Sequence, residues 1–155
     1  MIFQASITTT ANTSKLIPKE TLFKCVKGLV YKLSLFFPPG SRGLMGVQVF
    51  DANYQVYPTT VGEWFVGDNI HYNFDDTYFK NAEPFNFIIK THNLDDLYDH
   101  ELIVQIGMVS EKIFIARYVP SEQYEVMRQI LKEIAEEQAA YKKAVALEGF
   151  PIKTG

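Results

Sequence analysis

The chain has 155 residues, 47% of them hydrophobic and 21% charged, which provides for one globular domain and excludes a disordered or fibrous polypeptide. Fifteen Lys and Arg against 18 Asp and Glu leave a formal net charge of −3, so direct nucleic-acid binding is not expected, because it depends on clustered cations displacing counterions. The single cysteine, Cys25, excludes an internal disulfide and a Cys-rich zinc site and fits a reduced compartment.

The N-terminal segment MIFQASITTTANTSKLIPK lacks a cationic run followed by an apolar core, so no secretory signal is expected. No stretch approaches the roughly 18 to 20 apolar residues that span a bilayer, and a soluble chain without membrane contact follows. Residues 1–21, Thr-rich and with a weak strand pattern, read as an N-terminal arm or edge strand. Removing Met1 to Pro18 is therefore expected to cost the folded body little.

From Phe23 to Phe37 the odd positions Phe23, Cys25, Leu29, Tyr31, Leu33, Leu35 and Phe37 are apolar, broken only by Lys27. Period two predicts a strand with one buried face. The same alternation returns in Met45, Val47 and Val49, in Ile70, Tyr72 and Phe74, in Phe85, Phe87 and Ile89, and in Leu102, Val104, Ile106 and Met108. Turn signals lie between them: PPGSRG, DANYQ, VGDN, NAEP and NLDDLYDH. Short strands punctuated this way predict an antiparallel β-sandwich, jelly-roll-like, over residues 22–119. Lys112 to Val119 reads as a last strand or a stiff connector.

After Pro120 the texture changes. Residues 120–148 are rich in helix formers and free of glycine and proline after Pro120, which predicts one long C-terminal amphipathic α-helix followed by a tail at 149–155. Ser121 is a candidate cap, Glu122 and Glu125 suit the positive end, Lys142 and Lys143 suit the other, and Gly149 closes it. Met127, Ile130, Ile134, Tyr141 and Val145 form an apolar stripe. It faces either the sandwich or a neighbouring chain, which Ala135, Ala139 and Ala140 would let approach closely.

The candidate chemical motifs are sparse. PPGSRG lacks the spacing of a phosphate-binding loop and stands between strands, so a turn is the expected role of Gly40 and Gly43. Asp75 with Asp76, and Asp95 with Asp96 and Asp99, have no calcium-loop spacing and suit turns. His71, His92 and His100 are scattered; no two-histidine metal grip is present, and His71 and His92 fall on polar strand faces, where exposure is expected. A hydrolase based on Asp95, Asp99 and His100 would need a nucleophile that no motif flags, and Cys25 sits on an apolar face where a thiol is inert. No catalytic residue, cofactor or metal is expected. Trp64, the only tryptophan, either plugs the end of the sandwich or serves an interface or a sugar.

The segments LFFPPGSRGLMGVQVFDANYQVYP, GEWFVGDNIHYNFDD and THNLDDLYDHELIVQIG form an ordered series over about half the chain. It resembles small β-sandwich structural proteins encoded with virion genes of tailed bacteriophages and related viruses. The similar elements are a Thr-rich lead strand, the FPPG turn at Phe37 to Gly40, the Q-x-[WY]-P end at Gln55 to Pro58, the tryptophan turn at Glu63 to Asp68, and the N-x-DD-x-Y-x-H hairpin at Asn93 to His100. The C-terminal helix lies outside this match.

What the resemblance implies is a non-enzymatic virion component, capsid-decorating or connecting head to tail, assembled in the host cytoplasm. Its implied partners are copies of itself in a homo-oligomer and other virion proteins. Arg42, Trp64, Met127, Ile130, Ile134 and Tyr141 are then the expected interface residues. The alternative is a carbohydrate-binding or adhesin-like module, for which Trp64, tyrosine-rich loops and the Asp clusters speak.

Overall fold

A computed structural model describes residues 1–118 and 123–148. Nine strands come first: β1 (Ile2–Thr9), β2 (Lys19–Lys24), β3 (Gly28–Phe37), β4 (Met45–Asp51), β5 (Tyr54–Tyr57), β6 (Phe65–Val66), β7 (Ile70–Lys80), β8 (Asn86–Asn93) and β9 (His100–Val109). Two helices follow, α1 (Glu111–Tyr118) and α2 (Tyr124–Glu148). The first sheet has the order β1-β9-β3-β7 and the second β2-β8-β4-β5, with β6 paired to β4. Every strand pairing is antiparallel.

The inner faces of the two sheets make one core. Val30, Leu33, Leu35 and Phe37 of β3 and Leu102, Val104, Ile106 and Met108 of β9 belong to it, together with Met45, Val47 and Val49 of β4 and Phe87 and Ile89 of β8. All but Val30 are the alternate residues that period two marked, and burying each large side chain is worth about 1.5–3 kcal/mol. The mainly β, two-sheet architecture with a long C-terminal helix is therefore as expected. The chain divides into two compact units, Met1–Val109 and Ser110–Gly155, so the boundary falls before α1 rather than after it.

Several local expectations are corrected. The run from Phe23 to Phe37 is two strands, and they belong to different sheets. Lys27, the one break in the apolar alternation, lies in the connection between them. Within β3 the register shifts between Val30 and Lys32 against both neighbouring strands. This bulge reverses the side-chain phase: Val30 enters the core, while Tyr31 turns outward, where its ring occupies the space a Cβ at Gly107 would need.

Residues 112–118 are helical, which excludes the last strand and leaves the stiff connector of the two expectations. Ser110 starts α1 by accepting a hydrogen bond from the Ile113 amide on its side-chain oxygen (3.3 Å), and its carbonyl accepts from Phe114 (2.9 Å). That cap and Glu111 in the first turn outweigh the β-branched content of the segment. The proposed caps of α2 at Ser121, Glu122 and Gly149 lie outside the described residues.

Of the two N-terminal alternatives, edge strand holds. β1 pairs with β9 along its whole length, from Ile2 opposite Gly107 to Thr9 opposite His100. Ile7 is buried in the core, and Thr9 and Thr91 share a 2.6 Å hydrogen bond that links the two sheets. Even the Met1 ammonium donates to the Met108 carbonyl (2.7 Å). The expectation that the segment can be removed at little cost is overturned by this pairing.

Candidate functional site

Chemistry-bearing side chains gather at five places in the sandwich, and each is built by the strand register. The first is the corner made by PPGSRG. Arg42 and Gly43 adopt positive φ (50° and 77°), as does Gly40 at 122°; glycine meets this demand at no steric cost. The amides this turn presents are taken by the protein itself, since Gly40 donates to the Asp68 carboxylate (2.7 Å) and Ser41 donates its hydroxyl to the Gly67 carbonyl (2.6 Å). The Gly40 amide, with those of Arg42 and Ser41, holds the Asp68 pKa below its ordinary value. An internal anion therefore occupies the place a phosphate would take. Arg42 is left exposed at the tip.

The second is the NLDDLYDH loop. The Asp95 carboxylate accepts hydrogen bonds from the amides of Leu97 (2.9 Å) and Tyr98 (3.1 Å) and pairs with His100 Nε2 at 2.9 Å. These bonds, the Leu97 amide foremost, draw its pKa down to about 2. Asp99 accepts from the Ala11 amide (2.9 Å), and the Asn93 side chain donates to the carbonyls of Thr9 (3.0 Å) and Tyr98 (2.8 Å). Asp95, Asp99 and His100 thus fasten the end of β1 to the β8–β9 connection. Among the described residues, no group of three or more His, Cys, Asp or Glu side chains is placed to hold a metal ion.

The third is beneath Trp64. His92 is 1% exposed, which overturns its expected exposure to solvent. It does sit on the outer side of β8, directly over Gly46, where a Cβ would lie 2.3 Å from Nε2. The half-buried Trp64 ring covers it edge-on at 4.6 Å. The covering segment is pinned by two buried glutamines: Gln48 donates to the Glu63 carbonyl (2.8 Å) and Gln55 to those of Pro58 (2.7 Å) and Thr60 (3.0 Å). Trp64 therefore packs on the sandwich rather than standing free.

Among the described residues, no well-formed hydrogen bond reaches either ring nitrogen of His92. Burial, reinforced by the nearby Lys15 charge, lowers its pKa from 6.5 to about 4, against a small opposing pull from the Leu44 peptide. The unfolded chain then binds the proton between those two values and the folded protein does not. Stability contributed by neutral His92 is complete above pH 6.5 and falls as pH drops towards 4, by about 3 kcal/mol in all. Urea denaturation at a series of pH values checks this; His92→Leu is expected to lose up to one proton of the dependence in that window.

The fourth place is inside the sandwich edge, where β7 meets β4 and β5. Lys80, 2% exposed, pairs with Asp51 at 2.5 Å, and Tyr78 donates to the other Asp51 oxygen (2.7 Å). Tyr57 donates to Asp76 at 2.7 Å. Burial and these carboxylates push both tyrosines far above their ordinary pKa. Asp76, one of the paired carboxylates, is thereby engaged by a tyrosine of the opposite sheet. Cys25 is half-buried against the core, and burial raises its pKa, which removes thiolate at neutral pH.

The fifth is a cleft of about 330 Å3 on the outer face of the first sheet, lined by Gln4, Ser34, Phe36, His71, Ile103 and Gln105. Ser34 and His71 share a 2.6 Å hydrogen bond there. That distance suits a nucleophile and its base, yet among the described residues no carboxylate hydrogen-bonds His71 to orient it, as a triad requires. No sequence motif pointed to these residues, which come from four strands.

The second unit carries the remaining candidates. On α2, Leu131 is buried (5% exposed) and Met127 and Ile134 are half-buried, whereas Val126 (61%), Ile130 (42%) and Tyr141 (50%) are exposed. At 100° per residue, Met127, Ile130, Ile134 and Tyr141 fall within about 60° of one another, so they form the one stripe the sequence predicts; Leu131 extends it on the covered flank and Val126 on the exposed one. Among the described residues no helix is long and apolar enough to cross a membrane. Comparison of the chain with protein-family models, with curated proteins and with solved structures returns no match.

Proposed function

We propose that this protein is a non-enzymatic assembly subunit that works through protein–protein contacts, first of all with copies of itself. The observation that carries the reading is the exposed row of α2. Val126 and Ile130 are exposed, with Tyr141 half exposed along the same flank, on a helix whose other apolar flank is buried at Leu131 and half-buried at Met127 and Ile134, and a second copy of the same helix supplies an apolar row of matching length. Ala140 and Ala144 adjoin that row, and small residues let two helix axes approach closely.

The loops of the sandwich support the same reading. The Asp95–Asp99–His100 group and the Gly-rich corner are engaged in internal bonds, so their apparent motifs fasten the fold. Exposed Arg42 and the part of Trp64 that remains open offer further contact points. A virion setting, on the capsid surface or at the head–tail junction, is the context that the sequence resemblance implies for such a subunit. Other virion proteins would then be its neighbours, and the host cytoplasm its place of assembly.

Light scattering on the full chain tests the proposal. The unmodified protein is expected to self-associate, and Val126→Glu/Ile130→Glu to shift it to monomer by at least tenfold in dissociation constant. Both side chains are exposed, so the circular dichroism and melting temperature should stay within the range of ordinary surface changes, about 0.5 kcal/mol. Unaltered association in the double variant would reject the α2 contact.

A further inference from the structure

We propose that the cleft on the outer face of the first sheet binds a neutral, hydroxyl-rich ring, a pyranose sugar. The proposal does not depend on the assembly reading, because every lining residue belongs to the sandwich.

The cleft is built by register. Gln4 lies opposite Gln105, Gln105 opposite Ser34, and Ile103 opposite Phe36, which in turn lies opposite His71. Since Leu33 and Leu35 of β3 and Val104 and Ile106 of β9 face the core, alternation sends Ser34, Phe36, Ile103 and Gln105 to the outside. One row is therefore polar and the adjoining one presents Phe36 and Ile103, both half-buried, with His71 at its end.

The chemistry of the lining selects among ligands. None of the six residues is Lys, Arg, Asp or Glu, so nothing there compensates the charge of a phosphate or carboxylate, and an ionic ligand would lose hydration without gaining a partner. The polar groups are two amides, a hydroxyl and an imidazole, each with both donor and acceptor capacity. Gln105 donates Nε2 to Gln4 Oε1 at 2.7 Å, which leaves Gln4 Nε2 to donate and Gln105 Oε1 to accept, side by side. Adjacent ring hydroxyls, each both donor and acceptor, match that arrangement. Phe36 and Ile103 offer apolar surface to the C–H face of the same ring. A volume of about 330 Å3 lies at the small end of ligand pockets, about 300–1,000 Å3, which suits one or two sugar rings.

Nitrogen–proton NMR of the full chain tests this with D-glucose, D-galactose, D-mannose and N-acetyl-D-glucosamine, each titrated alone. At least one is expected to give a saturable shift of the Gln4 and Gln105 side-chain amides with a dissociation constant in the millimolar range. Gln4→Ala/Gln105→Ala should weaken that binding at least tenfold while leaving the backbone spectrum elsewhere unchanged, and Phe36→Ala should weaken it independently. The proposal is overturned if none of the four sugars produces a saturable shift up to about 100 mM, far above the ~1 mM of weak but specific ligands. It is equally overturned if the shift persists in the glutamine variant, or if it maps to Trp64 instead of the cleft.

Discussion

Asp51→Ala is expected to destabilise the protein by about 3–5 kcal/mol, because it leaves the Lys80 ammonium buried without its counter-charge. Lys80 is 2% exposed and its 2.5 Å partner joins the end of β4 to the end of β7, so the loss falls on the contact between the two sheets. Tyr78 loses its acceptor at the same time. The ion pair as such is worth much less than this. Asp51→Leu/Lys80→Met removes both charges together, and it should recover most of the stability that the single change loses, since apolar replacements of a buried pair are often neutral. Urea denaturation of the two single variants and the double variant separates these outcomes. A mild effect of Asp51→Ala would mean that water reaches Lys80.

Deleting Met1–Thr10 is expected to leave the chain unable to fold stably. The deletion strips β1 from β9, removes Ile7 from the core and breaks the inter-sheet bond of Thr9 with Thr91. It also frees the Asn93 amide from the Thr9 carbonyl and exposes the backbone of β9 as a new edge. The summed loss is comparable with the whole stability of a domain, about 5–15 kcal/mol. Thermal melting followed by circular dichroism is the check. A cooperative transition at an unchanged temperature would return β1 to the standing of a dispensable arm.

The two-sheet core was legible because its residues obey a local rule. Leu102, Val104, Ile106 and Met108 alternate without interruption, and so do Met45, Val47 and Val49; all are buried. Legibility fails where a long-range contact sets the outcome. A bulge at Val30 reverses the phase that Tyr31 seemed to continue. His92 is buried on what is formally a polar face only because Trp64 folds over it. Leu131 and Ile130 are adjacent and equally apolar, and only packing decides which is covered.

The candidate sites were less legible still. Lys80 and Asp51 are 29 residues apart, and Ser34 and His71 are 37 apart, so no motif of fixed spacing contains them. The motifs that did stand out, PPGSRG and NLDDLYDH, drew notice through turn chemistry. Their carboxylates and amides satisfy one another, as Gly40 and Asp68 do. Density of Gly, Asp and Asn marks where a chain turns, and that is a different property from where it binds.

Hydrogen–deuterium exchange of the full chain at a low and a high protein concentration tests the assembly proposal most directly, because it locates the contact as well as detecting it. If copies pair through the open row of α2, peptides covering Tyr124–Glu148 slow their exchange as concentration rises, while those of β3 and β9 do not change. Identical exchange across α2 at both concentrations, in a sample that light scattering shows to be associated, would contradict the proposal and move the contact to the loops around Arg42 and Trp64.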